Sequence, residues 1–261
     1  MDATWLRGRA QALLVELIAA LEPGARSRVT GIPLVMDPAP SEVNAFAACM
    51  DGSALMAVSD GLLIISAELA QASANDELFG TVKVDEYIGM VGGAMRAGRP
   101  IPHSPPGFYP ANQRTDPRRV ARHHQLYEEQ VAFVLAHELG HHYLGHLPCT
   151  ARAGGLPAGA VARALSNRVP LFNQPNELAA DVAGTNNILR AGRARATAPL
   201  TEKGGLLTMR FFSSLRRTSA ADLLLSFERS HPPPQLRVPV IQQAANAWRL
   251  TGGLGVPVPR F

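Results

Sequence analysis

The chain has 261 residues, 46% of them hydrophobic and 18% charged, a balance that suits a folded chain with a sizeable core and excludes wholesale disorder. Its net charge of +4 is carried almost wholly by arginine, Lys83 and Lys203 being the two lysines. The densest basic run, Arg118 to His124, reads as a solvated helix start, so no nucleic-acid partner is expected. Two cysteines, Cys49 and Cys149, are too few for a disulfide framework; a single pairing and two free thiols both stay open.

The spacing of apolar residues predicts a first helix over Thr4 to Leu21, stopped by Glu22-Pro23-Gly24. Its apolar stretch is interrupted by Glu16 and is too short to span a bilayer. With neither a transmembrane segment nor a signal peptide evident, a cytoplasmic protein is expected. Val29 to Met36 reads as an edge strand because of Pro33, and Glu42 to Cys49 as a strand or a short helix. Ala54 to Ser59 and Leu62 to Ser66 read as two strands of a hairpin turned at Asp60-Gly61. Helices follow over Ala67 to Ala74 and Asp76 to Met95.

The segment 98–117 holds six prolines in twenty residues and no periodicity. It reads as an irregular insertion, either a surface loop or a flap over the active site. Further helices are expected over His124 to Leu147, Ala160 to Arg168, Asn176 to Arg190, Gly205 to Arg217, Ala220 to Arg229 and Val238 to Leu250. The whole predicts one α+β domain over 1–261, mainly helical, with a small antiparallel sheet.

The chemistry lies in His137-Glu138-Leu139-Gly140-His141. Four residues apart on a helix, the two imidazoles stack on one face and can grip one metal ion. Glu138 stands beside the first of them, where a carboxylate can take a proton from a metal-activated water. The extended pattern with a third histidine is excluded, since Leu144 and Leu147 stand where it needs glycine and histidine. On a continuous helix His146 points away from His137.

Asn176-Glu177-Leu178-Ala179-Ala180-Asp181 offers a better third ligand. Glu177 and Asp181 share a helix face, so Glu177 can bind the metal while Asp181 takes the far nitrogen of His137. Ala179, Ala180, Ala183 and Gly184 leave room for that helix to approach the first closely. Two histidines, a carboxylate and an open position suit one zinc ion per chain.

HELGHHYLGH followed by ELAAD resembles the gluzincin zinc peptidases, above all the HtpX-like and CAAX-prenyl-protease superfamily, in a form without membrane helices. Ser59 to Ser66 resembles that family's strand before the helix that precedes the active-site helix. Ser230-His231-Pro232-Pro233 with Arg237 is similar to its late His-Pro segment and following arginine. The short interval between His141 and Glu177 is also similar to regulatory gluzincin-like peptidases that cleave repressors.

The resemblance implies a zincin-like fold and zinc-dependent hydrolysis of a polypeptide substrate. His231 would then stabilise the oxyanion, with Arg237 assisting or anchoring its segment; packing at the Pro-rich bend is the alternative for His231. Leu62, Leu63, Ile64 and Ile65 are expected to form the edge strand that pairs with substrate backbone. A catalytically latent zinc-binding regulatory domain is the competing reading. Against it stands Glu138, which a purely structural site does not need.

Overall fold

A computed structural model describes residues 2–38, 42–50, 52–149, 174–217 and 231–258. The helices expected at Ala160 to Arg168 and Ala220 to Arg229 lie outside the described residues. Helix α1 (Ala3–Ala20) opens on Asp2, whose side chain accepts from the Trp5 N–H at 2.8 Å. It buries Leu6, Ala10, Leu13, Leu14 and Leu17 along one stripe. Pro23 ends nothing by itself. It occupies the first turn of a second helix, α2 (Pro23–Val29), where a missing N–H is harmless. The first strand is thereby delayed to β1 (Leu34–Asp37).

Strands β2 (Ala45–Met50) and β3 (Ser53–Ser59) form the hairpin. The sheet order is β1-β3-β2, with β1 parallel to β3. The sheet is therefore mixed rather than antiparallel. The hairpin occupies one side of β3, and β1 takes the other side running in the same direction.

The hairpin expected at Asp60-Gly61 does not form. Ser59 Oγ accepts from the Leu62 N–H at 3.3 Å and caps α3 (Asp60–Phe79), while Asp60 pairs with Arg7. Leu62, Leu63, Ile64 and Ile65 are the first turns of this helix, and all but Ile64 are buried. Their N–H groups are committed to helical turns and cap, so they cannot pair with a substrate strand. Four consecutive apolar residues carry no period, and the cap decides between helix and strand.

Gly80, at φ 65°, closes α3. Asp76 then accepts from Lys83 N–H at 2.6 Å and Val84 N–H at 3.0 Å, starting α4 (Lys83–Arg96).

The Pro-rich segment is packed against the body and contains a short helix, α5 (Ala111–Arg114). Ser104 Oγ donates to Glu68 at 2.6 Å and Tyr87 donates to the Pro102 carbonyl at 3.0 Å. The Arg119 guanidinium lies 4.2 Å from the centre of the buried Tyr109 ring. Glu68 is on α3 and Tyr87 on α4, and Arg119 lies at the start of α6 (Pro117–Tyr143). Arg119 and His137 are eighteen residues apart on that helix, about 27 Å along its axis. The segment is not a flap over the metal-binding motif.

Helix α6 is the axis of the fold. Asp116 caps it, Pro117 fits its first turn, and nearly every residue from Leu126 to His141 is buried. Around it pack α1, α3, α7 (Gln174–Ala194) and α8 (Lys203–Arg217), with α9 (Pro234–Leu250) against α7 and α8. The arginines at its start are engaged within the chain: Arg118 with Asp116, Arg122 with Glu77, and buried Arg119 with Asn75. Among the described residues no helix is long and apolar enough to cross a membrane.

Cys49, near the end of β2, is disulfide-bonded to Cys149, just beyond α6. The bond closes the option of two free thiols. His142 Nε2 against the Leu55 carbonyl, at 2.9 Å, is a second tie between this end of α6 and the sheet.

Candidate metal centre

One turn of α6 separates His137 from His141, and their Nε2 atoms face each other at 3.2 Å. Helix α7 brings Glu177 to the same point. Its Oε2 is 3.3 Å from His137 Nε2 and its Oε1 is 3.4 Å from His141 Nε2. The approach depends on small residues. Gly140 meets Ala180, and a Cβ on Gly184 would lie 3.0 Å from the backbone nitrogen of His137.

Among the described residues two groups bring ligand atoms within 4.8 Å of one another: His137, His141 and Glu177, and His137, Glu138 and His231.

The first group fits a zinc ion in its donor chemistry. Bonds of about 2.0–2.1 Å to zinc put neighbouring donors about 3.3 Å apart; the two Nε2 atoms are 3.2 Å apart, and each meets its own oxygen of the Glu177 carboxylate, Oε2 at 3.3 Å from His137 and Oε1 at 3.4 Å from His141. Glu177 Oε1 is buried and accepts no hydrogen bond, which is costly unless a cation faces it.

Burial and the nearby Arg237 push His137 down, but its hydrogen bonds to Asp181 and Glu177 more than offset them and raise its pKa to about 9. Burial acts on Glu177 in the opposite sense to His231 and His137, and the two histidines win, holding it well below the usual carboxylate range. Burial lowers His141. Within the donor set charge therefore rests on His137 and Glu177, and His141 stays neutral.

Behind His137 its Nδ1 meets Asp181 Oδ1 at 3.0 Å. Arg237 holds that carboxylate with both arms of its fork, Nε on Oδ2 at 2.9 Å and Nη2 on Oδ1 at 2.6 Å. All three side chains are buried.

Glu138 projects to the sheet side. The Ala47 N–H of β2 donates to its Oε2 at 2.8 Å, and burial pushes its pKa up to about 7. His231 Nδ1 lies 2.5 Å from Glu177 Oε2, and its Nε2 is 3.9 Å from Glu138 Oε1. Burial lowers its pKa to about 4. Of the residues singled out in the sequence, His137, Glu138, His141, Glu177, Asp181, His231 and Arg237 come together, whereas Leu62 to Ile65 do not join them.

Residues 11–245 match the sequence profile of Peptidase family M48. The chain belongs to peptidase family M48. No curated protein and no solved structure matches it. Membership makes this M48 chain a peptidase, in keeping with its resemblance to the HtpX-like group.

Two features of the M48 site lie outside the sequence reading. Ala47 acts through its main chain, for which no side-chain pattern exists. His146 turns back because α6 ends at Tyr143: Gly145, at φ 81°, lets the His146 N–H reach the His141 carbonyl at 3.0 Å. Its Nδ1 then lies 2.9 Å from His141 Nδ1. It lies on the far side of the His141 ring from His137 and Glu177, but it is not remote; Gly145 was the available signal that helical periodicity ends there.

Proposed function

We propose that this M48 peptidase is a zinc-dependent endopeptidase whose metal is held by His137, His141 and Glu177. The observation that carries the reading is that two buried imidazole Nε2 atoms, 3.2 Å apart, each face one oxygen of the buried Glu177 carboxylate at 3.3 and 3.4 Å, with the Glu138 carboxylate beside them. When bound, zinc supplies Lewis acidity that polarises a scissile carbonyl and acidifies water.

Glu138 is the general base. Its pKa near 7 leaves it able to accept a proton at neutral pH and return it to the leaving amine. Ala47 N–H fixes one oxygen and leaves Oε1 for that task. Asp181, oriented by Arg237, keeps the His137 proton on Nδ1 and its Nε2 lone pair toward the metal.

His231 has a different role from oxyanion donor. A neutral imidazole carries one proton, and with Nδ1 against Glu177 that proton is at Nδ1. Nε2 is then an acceptor, so His231 orients Glu177 instead.

The edge strand for substrate is β2. Among the described residues it pairs only with β3. The Ala47 N–H points away from β3 toward Glu138, and strand alternation turns the main-chain groups of Ala45 and Cys49 to the same side. An extended peptide added there passes directly beside the base. One peptidase domain accounts for the chain, supported by a core cluster that joins α1, α3, α6, α7, α8 and α9. The Cys49–Cys149 bond favours an oxidising compartment over the cytoplasm.

A second reading, a latent form, is favoured by the burial of Glu138, His141 and Glu177. Zinc content measured beside casein hydrolysis, in wild type and Glu138→Gln, separates the two. Zinc in both with activity in the wild type alone supports the endopeptidase. Zinc in both with no activity in either supports latency, and folded protein without zinc refutes both.

A further inference from the structure

We infer that His146 is the positioning residue of His141, fixing the tautomer that leaves His141 Nε2 open to a metal. The inference rests on the zinc reading of His137, His141 and Glu177.

The two Nδ1 atoms lie 2.9 Å apart, so one must donate and the other accept. Were His146 the donor, a neutral His141 would carry its proton on Nε2. That atom is 3.2 Å from His137 Nε2 and 3.4 Å from Glu177 Oε1, at the centre of the donor set. A proton there occupies the lone pair a metal needs. With His141 as donor the proton sits on Nδ1, His146 accepts, and Nε2 is free.

The contact is held at two levels. The His146 N–H donates to the His141 carbonyl at 3.0 Å, and the Gly145 N–H to the His142 carbonyl at 3.2 Å, the paired bonds of a Schellman turn. Gly145 supplies the required left-handed conformation at φ 81°. Main chain and ring of His146 thus both rest on the residue they orient.

The two imidazoles are supported differently. His137 has a carboxylate already neutralised by Arg237, and His141 has a neutral ring. Neither gains uncompensated negative charge, so Glu177 is the one anionic member of the triad.

The test uses the full chain with 15N-labelled histidines, loaded with zinc. A proton on His141 Nδ1, with a through-hydrogen-bond coupling to His146 Nδ1, is the expected result. A His141 whose Nδ1 is unprotonated or shows no such coupling overturns the inference. Zinc affinity by chelator competition supplies the second measurement. His146→Phe fills the ring's space without an acceptor and is expected to bind zinc about 10–100-fold more weakly. His146→Asn returns an acceptor near the lost Nδ1 and is expected to restore most of the affinity. Unchanged affinity in His146→Phe, or no rescue by Asn, overturns the role. A wild type that binds no zinc instead sinks the metal-site reading itself, and this inference with it.

Discussion

Gly184 packs directly on the backbone of His137. A Cβ added to it would stand 3.0 Å from the His137 nitrogen and 3.2 Å from its Cα. Main-chain atoms of a buried helix cannot step aside as a flexible side chain can. Gly184→Ala is therefore expected to push α7 off α6, cost about 1–3 kcal/mol, and weaken zinc binding by displacing Glu177. Gly8→Ala is the control: a Cβ there meets nothing within 4 Å, and helix propensity predicts a gain of up to about 1 kcal/mol. Urea unfolding of the two variants checks both signs.

Arg237 lies fully inside the protein and its fork neutralises Asp181. Arg237→Met leaves a buried carboxylate without its cation, which is expected to cost about 3–5 kcal/mol. Adding Asp181→Asn removes the stranded charge and should recover part of that loss. A double-mutant cycle by chemical denaturation measures the coupling, and additive losses would refute it.

Glu129, eight residues before His137 on α6, should govern part of the pH dependence. Burial raises its pKa from 4.5 to about 7, against the opposing pull of Arg122 and the hydrogen bond from Thr201 at 2.9 Å. The unfolded chain therefore releases this proton first as pH rises. Stability is highest below the unfolded value and falls between about pH 4.5 and 7, by about 3 kcal/mol for this one group. Glu129→Gln keeps an acceptor for Thr201 and cannot ionise. Melting curves at pH 5 and pH 8 should show the variant gaining on the wild type at the higher pH; a constant difference would count against the shift.

The disulfide spans a sequence separation of 100 residues. Its loss through paired Cys49→Ser and Cys149→Ser substitutions is expected to cost about 2–4 kcal/mol. Cys49 lies two residues from Ala47 on β2, so the loss should also loosen the hold on Glu138. Unfolding with and without a thiol reductant tests this: the wild type should respond and the double variant should not.

Local spacing alone determined the arrangement of His137, Glu138 and His141, and that of Glu177 and Asp181. Each set lies within one or two turns of a helix, where 3.6 residues per turn dictates which side chains share a face. The mainly helical α+β class follows from the same periodicity, and the small residues at Ala180 and Gly184 announced a close helix contact. Tertiary structure decided the rest, because the deciding partners are distant in the chain or belong to the backbone. Leu62 to Ile65 carry no period, and Ser59 and Arg7 commit them to a helix. The Ala47 N–H of β2 reaches Glu138, a main-chain contact that no side-chain pattern announces. Cys49 and Cys149 pair because β2 meets the end of α6. His146 reaches His141 because Gly145 ends the helix, and past that point no periodicity could place it.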